Sequence, residues 1–191
     1  PWAWPADNEF IMPQYTGDSQ HGVTALIPRR DALGLARSNM LAQLTGQSDT
    51  TFRIVTLSTS IGVRSQETVV VYRDAAIFLA NDGVYRWSDE GIRCLSDGMV
   101  RSWFTTDDFF NRDLFSQAFA YVDPVTQTYR LYLARVGSEI VDTWVEYDLQ
   151  RSKWWGPHLT DAFELSCVFQ LGNELPTFGV GTTDGYVTKE Q

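Results

Sequence analysis

The acidic stretch at residues 105–117 comes closest to a chemical site by residue type. It carries Asp107, Asp108, Asn111 and Asp113. Hard cations take carboxylate and amide oxygens, so a cation site is one interpretation. The EF-hand spacing and its central glycine are missing, and a helix cap followed by a solvated loop explains the same residues. We therefore predict neither a metal nor another cofactor.

Other reactive side chains are few and scattered. His21 and His158 lie in predicted turn regions, and neither is paired with a nucleophile at a recognisable spacing. Cys94 and Cys167 have no metal-like spacing and are predicted to be buried free thiols. Free thiols indicate synthesis in a reducing compartment.

Motifs of the common enzyme classes are missing from the sequence. There is no Gly-x-Ser-x-Gly elbow, phosphate-binding loop or His-rich zinc pattern, and residues 88–91 carry the sialidase box in the wrong order. A glycoside hydrolase needs two carboxylates across a cleft, and no pair is indicated by spacing. We predict no catalytic, cofactor-binding or metal residues and a protein that is not an enzyme. A propeller glycoside hydrolase stays an alternative.

Four tryptophans could bind sugars. Trp2 and Trp4 lie in a proline-rich start predicted to be extended, and Trp154 and Trp155 follow a predicted strand. Aromatic rings at such positions stack on sugar rings or pack between sheets. A carbohydrate- or receptor-binding module is therefore a second alternative function.

Charge limits the partners. The chain has 15 Lys and Arg against 24 Asp and Glu, a net charge of −9. An acidic surface repels phosphate backbones, which argues against tight nucleic-acid wrapping but fits a wall past which DNA slides. Arg29 and Arg30 are predicted to form a solvated turn, with a phosphate site as the other interpretation. No segment has the length of a membrane-spanning helix and no signal peptide is visible, so we expect no membrane partner.

The element that organises the chain is a predicted β-meander at residues 75–96. An apolar strand reaches the turn at residues 81–83, and a second strand leads to another turn at residues 89–91. The pair Asp82-Gly83 predicts a hairpin turn in which both residues have positive φ. A unit of this kind buries its faces against copies of itself.

Imperfect copies are present. A shared L-S-spacer-V-R-S phrase starts at Leu57 and again about 38 residues later at Leu95. Residues 35–41 align with residues 79–85, which places Asn39 at the position of Gly83. The Asp-Gly hairpin recurs at residues 183–187. This spacing is that of propeller blades.

The pattern of the remaining residues predicts short strands, with one short helix near residues 106–115. The fold class is therefore all-β, with a β-propeller or partial propeller of short antiparallel blades favoured over a sandwich. We predict a single domain over residues 1–191. Because the sequence begins at Pro1 without Met, we expect a piece of a longer subunit. The remaining predicted strands cover residues 23–27, 32–36, 40–44, 52–57, 68–72, 116–122, 129–134, 142–149, 163–169 and 177–187.

Five segments carry a resemblance to a known family: VTALIP at 23–28, MLAQLTG at 40–46, FRIVTLSTSIG at 52–62, IFLANDGVYRW at 77–87, and VEYDL at 145–149 followed by Trp154-Trp155. Together they resemble the β-propeller platform of tail nozzle, or tail tubular B type, proteins of short-tailed bacteriophages. The resemblance covers most of the chain and is best between about residues 20 and 100. This sequence is far shorter than such proteins and has no separate platform or nozzle-tip domain.

The resemblance implies a non-enzymatic virion structural protein. In that family, subunits form a ring in the lower tail, attached to a portal-adaptor assembly, and DNA leaves through the lumen. The implied partners are other copies of the chain, portal-adaptor and other tail proteins, and DNA that passes without specific binding. The implied location is the virion tail, assembled in the host cytoplasm.

Overall fold

The computed structural model describes residues 22–48, 50–98, 100–169, 177–182 and 187–189, with side chains as far as residue 159. In these residues the protein is all-β and contains three antiparallel sheets. Each sheet begins with four strands that follow one another in the chain and pair in that order. The all-β prediction is confirmed, and the described residues do not show a closed ring of blades.

The first and second sheets have four strands each, in sequence order. Short runs of alternating and β-branched residues separated by turns favour this up-and-down arrangement. In the first sheet the strands are β1 (Ala25–Arg29), β2 (Ala32–Ala36), β3 (Leu41–Thr45) and β4 (Arg53–Ser58). In the second they are β5 (Val70–Tyr72), β6 (Ala75–Leu79), β7 (Val84–Ser88) and β8 (Gly91–Cys94).

The third sheet has the order β14-β13-β12-β11-β10-β9. The early part of β12 pairs with β11, and its later part pairs with β13. The prediction of a separate strand at residues 163–169 is wrong, because these residues continue β12. The strands are β9 (Phe119–Asp123), β10 (Thr128–Leu133), β11 (Val141–Asp148), β12 (Lys153–Phe169), β13 (Thr177–Thr182) and β14 (Val187–Lys189).

The first strands of successive sheets lie side by side. β1 contacts β5, and β5 contacts β9. The connection from β4 to β5 contains a 3-10 helix at Gln66–Thr68, which also contacts β9. Thr68 was predicted to begin a strand but lies in this helix. The connections β4–β5 and β8–β9 thus lead from the last strand of one sheet to the first strand of the next, which lies beside the first strand of the sheet before it.

Two apolar clusters hold the sheets together. The first joins the first and second sheets through residues such as Ile27 and Leu41 on one side and Phe78 on the other. The second joins the second and third sheets through residues such as Leu79 and Leu131. Sheet-on-sheet burial of this kind is the main stabilising contribution in an all-β domain.

The single helix predicted near residues 106–115 is not found there. Instead, a short helix α1 spans Arg101–Thr105 and a 3-10 helix spans Arg112–Gln117. Residues 106–111 form a turn whose last part makes an isolated bridge between Phe110 and Arg135.

Packing explains this break in the helix. Phe104, Phe110 and Phe115 are all buried in the second cluster. At about 100° per residue, a continuous helix would place Phe110 far from the side shared by Phe104 and Phe115. Interrupting the helix turns all three rings inward, so burial overrides the local helical pattern.

The hairpin between β6 and β7 forms, but its turn differs from the prediction. Leu79 pairs with Val84, so the connection comprises residues 80–83. Asp82 does not have positive φ, and the prediction that both turn residues do is wrong. Gly83 has φ +154°, and a Cβ there would collide with the Ser96 side chain. Glycine is required at that position by close approach as well as by backbone conformation.

The second-to-third strand connections of the first two sheets are equivalent. In each, the first N–H donates to the last carbonyl, at 2.9 Å in residues 37–40 and 2.8 Å in residues 80–83. Gly83 therefore corresponds to Met40 rather than to Asn39, so the predicted alignment is wrong by one residue. The strand predicted at residues 116–122 begins too early, because residues 116–117 end the 3-10 helix and β9 begins at Phe119. The remaining predicted strands overlap the observed ones. The extended start at residues 1–13 and the Asp-Gly turn at residues 184–185 lie outside the described residues.

Candidate functional site

An open cleft of about 660 Å³ lies between the turn ends of the first and second sheets. The β1–β2, β5–β6 and β7–β8 turns all contribute to it. Its walls combine apolar residues, including Pro28, Leu57 and Val71, with charged ones. The charged lining residues carry both signs: Arg29, Arg30, Asp31, Arg73, Asp74 and Asp89.

Arg29 is the most constrained charged side chain in this cleft. Its side chain is only 10% exposed. Nη1 donates to the Trp87 carbonyl at 3.0 Å, and the guanidinium lies 4.7 Å from the Trp87 ring centroid. Nη2 donates to Asp89. The prediction that Arg29 and Arg30 form a solvated turn is therefore wrong for Arg29, although Arg30 is exposed.

Gly34 makes the close packing around Trp87 possible. A Cβ at Gly34 would lie 2.6 Å from Cζ3 of Trp87 and 2.9 Å from Cβ of Ile27. Both distances are shorter than carbon atoms tolerate. The indole therefore fits against the first sheet only because β2 has no side chain at this point, and Arg29 then covers the ring.

The first sheet has a second apolar face, turned away from the second sheet. Register places Leu26 beside Leu35 and Leu33 beside Leu44, which in turn is opposite Ile54. Leu26 is 47% exposed and the other four are half-buried. Among the described residues, none of the five belongs to the two clusters that join the sheets or to a third cluster within the third sheet around Tyr132. We call these five side chains the open face.

Polar groups connect the sheets at several points. The 3-10 residue Thr68 is buried, and its hydroxyl accepts the Leu79 N–H at 3.2 Å. The hydroxyl of Tyr129, in the third sheet, donates to the Thr68 carbonyl at 3.0 Å. Burial raises the pKa of Tyr129 above its usual range. Trp154 Nε1 donates to the Leu95 carbonyl at 2.9 Å, which confirms that this tryptophan packs between sheets.

A network around Asp82 binds the β6–β7 connection to α1. The Tyr85 hydroxyl donates to both Asp82 carboxylate oxygens at 3.0 Å, and Arg101 Nη2 lies 2.7 Å from Oδ2. Burial raises the pKa of Tyr85 above its usual range, and the hydrogen bond to Asp82 raises it further. Arg101 also contacts Asp97 at 3.5 Å. The charged groups of this network pair with one another, and these pairs stabilise the β6–β7 connection.

The predicted acidic cluster is not assembled into a cation site. Asp107, Asp108 and Asp113 are exposed, and the Asn111 amide donates to the Ser138 carbonyl at 3.0 Å. Among the described residues, no three His, Cys, Asp or Glu side chains are grouped as metal ligands. The solvated loop is the better interpretation of this stretch.

The other sequence candidates are dispersed. His158 lies in β12 rather than in a turn, and its ring stacks 4.2 Å from that of Trp144. Trp155 is 54% exposed. Cys94 is a free thiol, but it is half-buried rather than buried. The side chains of His21, Trp2, Trp4 and Cys167 lie outside those described.

Sequence reasoning missed the role of Trp87 and Asp89. The tryptophan was part of a predicted strand, and the aspartate was part of a predicted turn. Arg29 stood before a turn about 60 residues earlier, and no local pattern links it to them. The blade-length repeat was the one signal that could have brought them together, because it predicts adjacent sheets with their turns at a common end.

Comparisons with known proteins give a likeness of fold alone. No protein-family model matches the sequence, and no curated protein matches it. The solved structure of a computationally designed protein, Ika4, is similar with a TM-score of 0.50 and 14% sequence identity. The match covers 94% of this chain and 98% of the designed one. In the part of the chain that is described, no helix is long and apolar enough to cross a membrane.

Proposed function

We propose that the chain is a non-enzymatic structural module, a β-propeller or partial propeller that forms part of a ring in the tail nozzle of a short-tailed bacteriophage. The observation that carries this proposal is the contact of β1 with β5 and of β5 with β9. In a propeller, the first strands of successive blades surround a common axis. Two four-stranded meanders followed by a six-stranded sheet, with the first strands of all three adjacent, are consistent with that architecture.

The inter-sheet contacts support a scaffold role. Thr68 connects the second and third sheets through hydrogen bonds to Leu79 and Tyr129. The indole of Trp154 makes a further connection between the same two sheets. Buried polar groups that are satisfied by partners on different sheets fix the relative placement of those sheets. A module of fixed shape is what a ring subunit requires.

The open face supports assembly with another copy. Five apolar side chains on one side of a terminal sheet would be covered by a further sheet in a continuous ring. We propose that the sheet comes from a neighbouring copy, because a repeated head-to-tail contact generates a closed ring when its rotation closes. Portal-adaptor and other tail proteins would bind the ring, and DNA would pass through its lumen in the virion.

Electron microscopy of the purified chain tests this proposal. Leu26→Lys places a charge on the open face, and Val125→Lys is the matched control because Val125 is 63% exposed in the β9–β10 turn. Rings of defined size should form with the wild type and the control and be lost with Leu26→Lys, provided circular dichroism shows both variants folded. Equal behaviour of the two variants, or the lack of rings in the wild type, would overturn the proposal.

A glycan-binding function is the second candidate, and the exposure of Trp155 favours it. The neighbouring residue Glu146 pairs with Trp155 across β11 and β12 and is hydrogen-bonded to Arg130 at 3.1 Å. An exposed indole beside polar groups is suited to sugar stacking. A glycan panel with Trp155→Ala tests this function. Loss of binding in the variant would support it, and no binding by the wild type would exclude it for the panel. A polysaccharide hydrolysis screen tests the hydrolase alternative.

A further inference from the structure

The guanidinium of Arg29 is held in place before any ligand arrives. Its side chain is 10% exposed, Nη1 donates to the Trp87 carbonyl at 3.0 Å, and the guanidinium carbon lies over the indole, 4.7 Å from the ring centroid. An arginine held on one side by a carbonyl and an aromatic ring loses little conformational entropy when it binds a carboxylate. Nη2 of the guanidinium contacts Asp89, and both residues line the cleft.

The counter-ion of Arg29 is much less constrained. Asp89 lies in the short turn between β7 and β8, and its side chain is 88% exposed. An ion pair with one partner so exposed contributes little to stability, because water and salt compete for the carboxylate. The pair is therefore asymmetric: the buried arginine is fixed, and the exposed aspartate is replaceable.

We propose that this cleft binds an acidic peptide segment of a partner protein, whose carboxylate displaces Asp89 from Arg29. Arg and carboxylate groups form charge-assisted, often bidentate hydrogen bonds. Asp89 thus occupies the position on Arg29 that the ligand carboxylate would take. The cleft of about 660 Å³ is large enough to hold a few residues beside the carboxylate.

The lining favours a peptide over a sugar acid or a phosphate ion. A sugar needs an exposed aromatic face, and Trp87 is only 4% exposed, with Arg29 over its ring. A phosphate ion has no apolar surface to contact Pro28, Leu57 and Val71, which line the same cleft. Apolar walls together with charges of both signs are suited to a polypeptide with mixed side chains.

Isothermal titration with a blocked peptide that carries a single glutamate among apolar and basic residues tests the site. Asp89→Asn removes the internal competitor, and Asp107→Asn is the matched control because Asp107 is a similarly exposed aspartate that does not line the cleft. Both variants change net charge equally. Peptide affinity should rise about 3- to 5-fold in Asp89→Asn relative to Asp107→Asn, the increase expected for removing an exposed ion pair. Arg29→Lys should lose about tenfold or more, because lysine lacks the planar fork.

The competing outcomes are distinguishable. Equal affinities in the two aspartate variants would overturn the proposal and leave the Arg29–Asp89 pair as a clamp between the sheets. Equal binding of the glutamine version of the peptide, tighter binding of galacturonate or inorganic phosphate, or no peptide binding at all would also overturn it. Thermal unfolding of each variant separates lost binding from lost folding. The site does not depend on ring formation, because peptide binding is measured on the chain and ring formation on its particle size.

Discussion

Replacing Tyr129 by phenylalanine should weaken the junction between the second and third sheets. Tyr129 is fully buried, and its hydroxyl donates to the Thr68 carbonyl at 3.0 Å. The substitution keeps the ring in the apolar cluster but leaves a buried carbonyl without this partner. Losing one partner of a buried hydrogen bond costs about 1–2 kcal/mol. For a domain of this size, that lowers the melting temperature by about 3–6 °C.

Thermal unfolding followed by circular dichroism measures this effect. Tyr72→Phe is the matched control, because Tyr72 lies on β5 and, in the described part of the chain, its hydroxyl has no hydrogen-bond partner. The control should change stability by less than about 0.5 kcal/mol. If Tyr129→Phe is no less stable than Tyr72→Phe, the hydrogen bond to Thr68 does not join the sheets and the argument for a fixed arrangement fails.

Three further substitutions or titrations follow from the same structure. Gly34→Ala should destabilise the protein by about 1–3 kcal/mol, seen in chemical denaturation, because its Cβ would collide with Trp87; unchanged stability would contradict the packing described. Hydrogen bonds from Arg151 lower the pKa of Asp148, so the wild type should lose stability as pH falls below about 4, and Asp148→Asn should show a flatter acid profile. Burial raises the pKa of Tyr129, so the phenol ionises more readily in the unfolded chain than in the folded one. The contribution of Tyr129 to the free energy of unfolding is therefore fully present below about pH 10 and is lost as the pH rises further. Denaturation between about pH 9 and 11 should therefore show a smaller alkaline loss in Tyr129→Phe, and equal losses would contradict it.

The strand pattern could be predicted because it is encoded locally. Alternation and turn residues define β2 at Ala32–Ala36 with the bounds expected from sequence. The helix near 106–115 could not be placed, because the local conformation is decided by the burial of three phenylalanines against strands that are distant in sequence. The continuation of β12 past residue 163 was also missed, since the early part pairs with β11 and the later part with β13, and no local signal marks that change of partner.

The cleft was harder to predict than the strands. Arg29 was assigned to a solvated turn because two adjacent arginines before a turn usually face water. Its burial depends on Trp87, which lies in another sheet, and on the lack of a side chain at Gly34. Contacts between residues so distant in sequence follow from tertiary packing, so composition and spacing could not indicate them.

The most direct test of the proposed role is the mass of the purified chain in solution, measured by light scattering over a series of concentrations. The account predicts a single defined multiple of the 21.7 kDa chain that persists on dilution to micromolar concentration. A monomer at every concentration would contradict assembly through the open face.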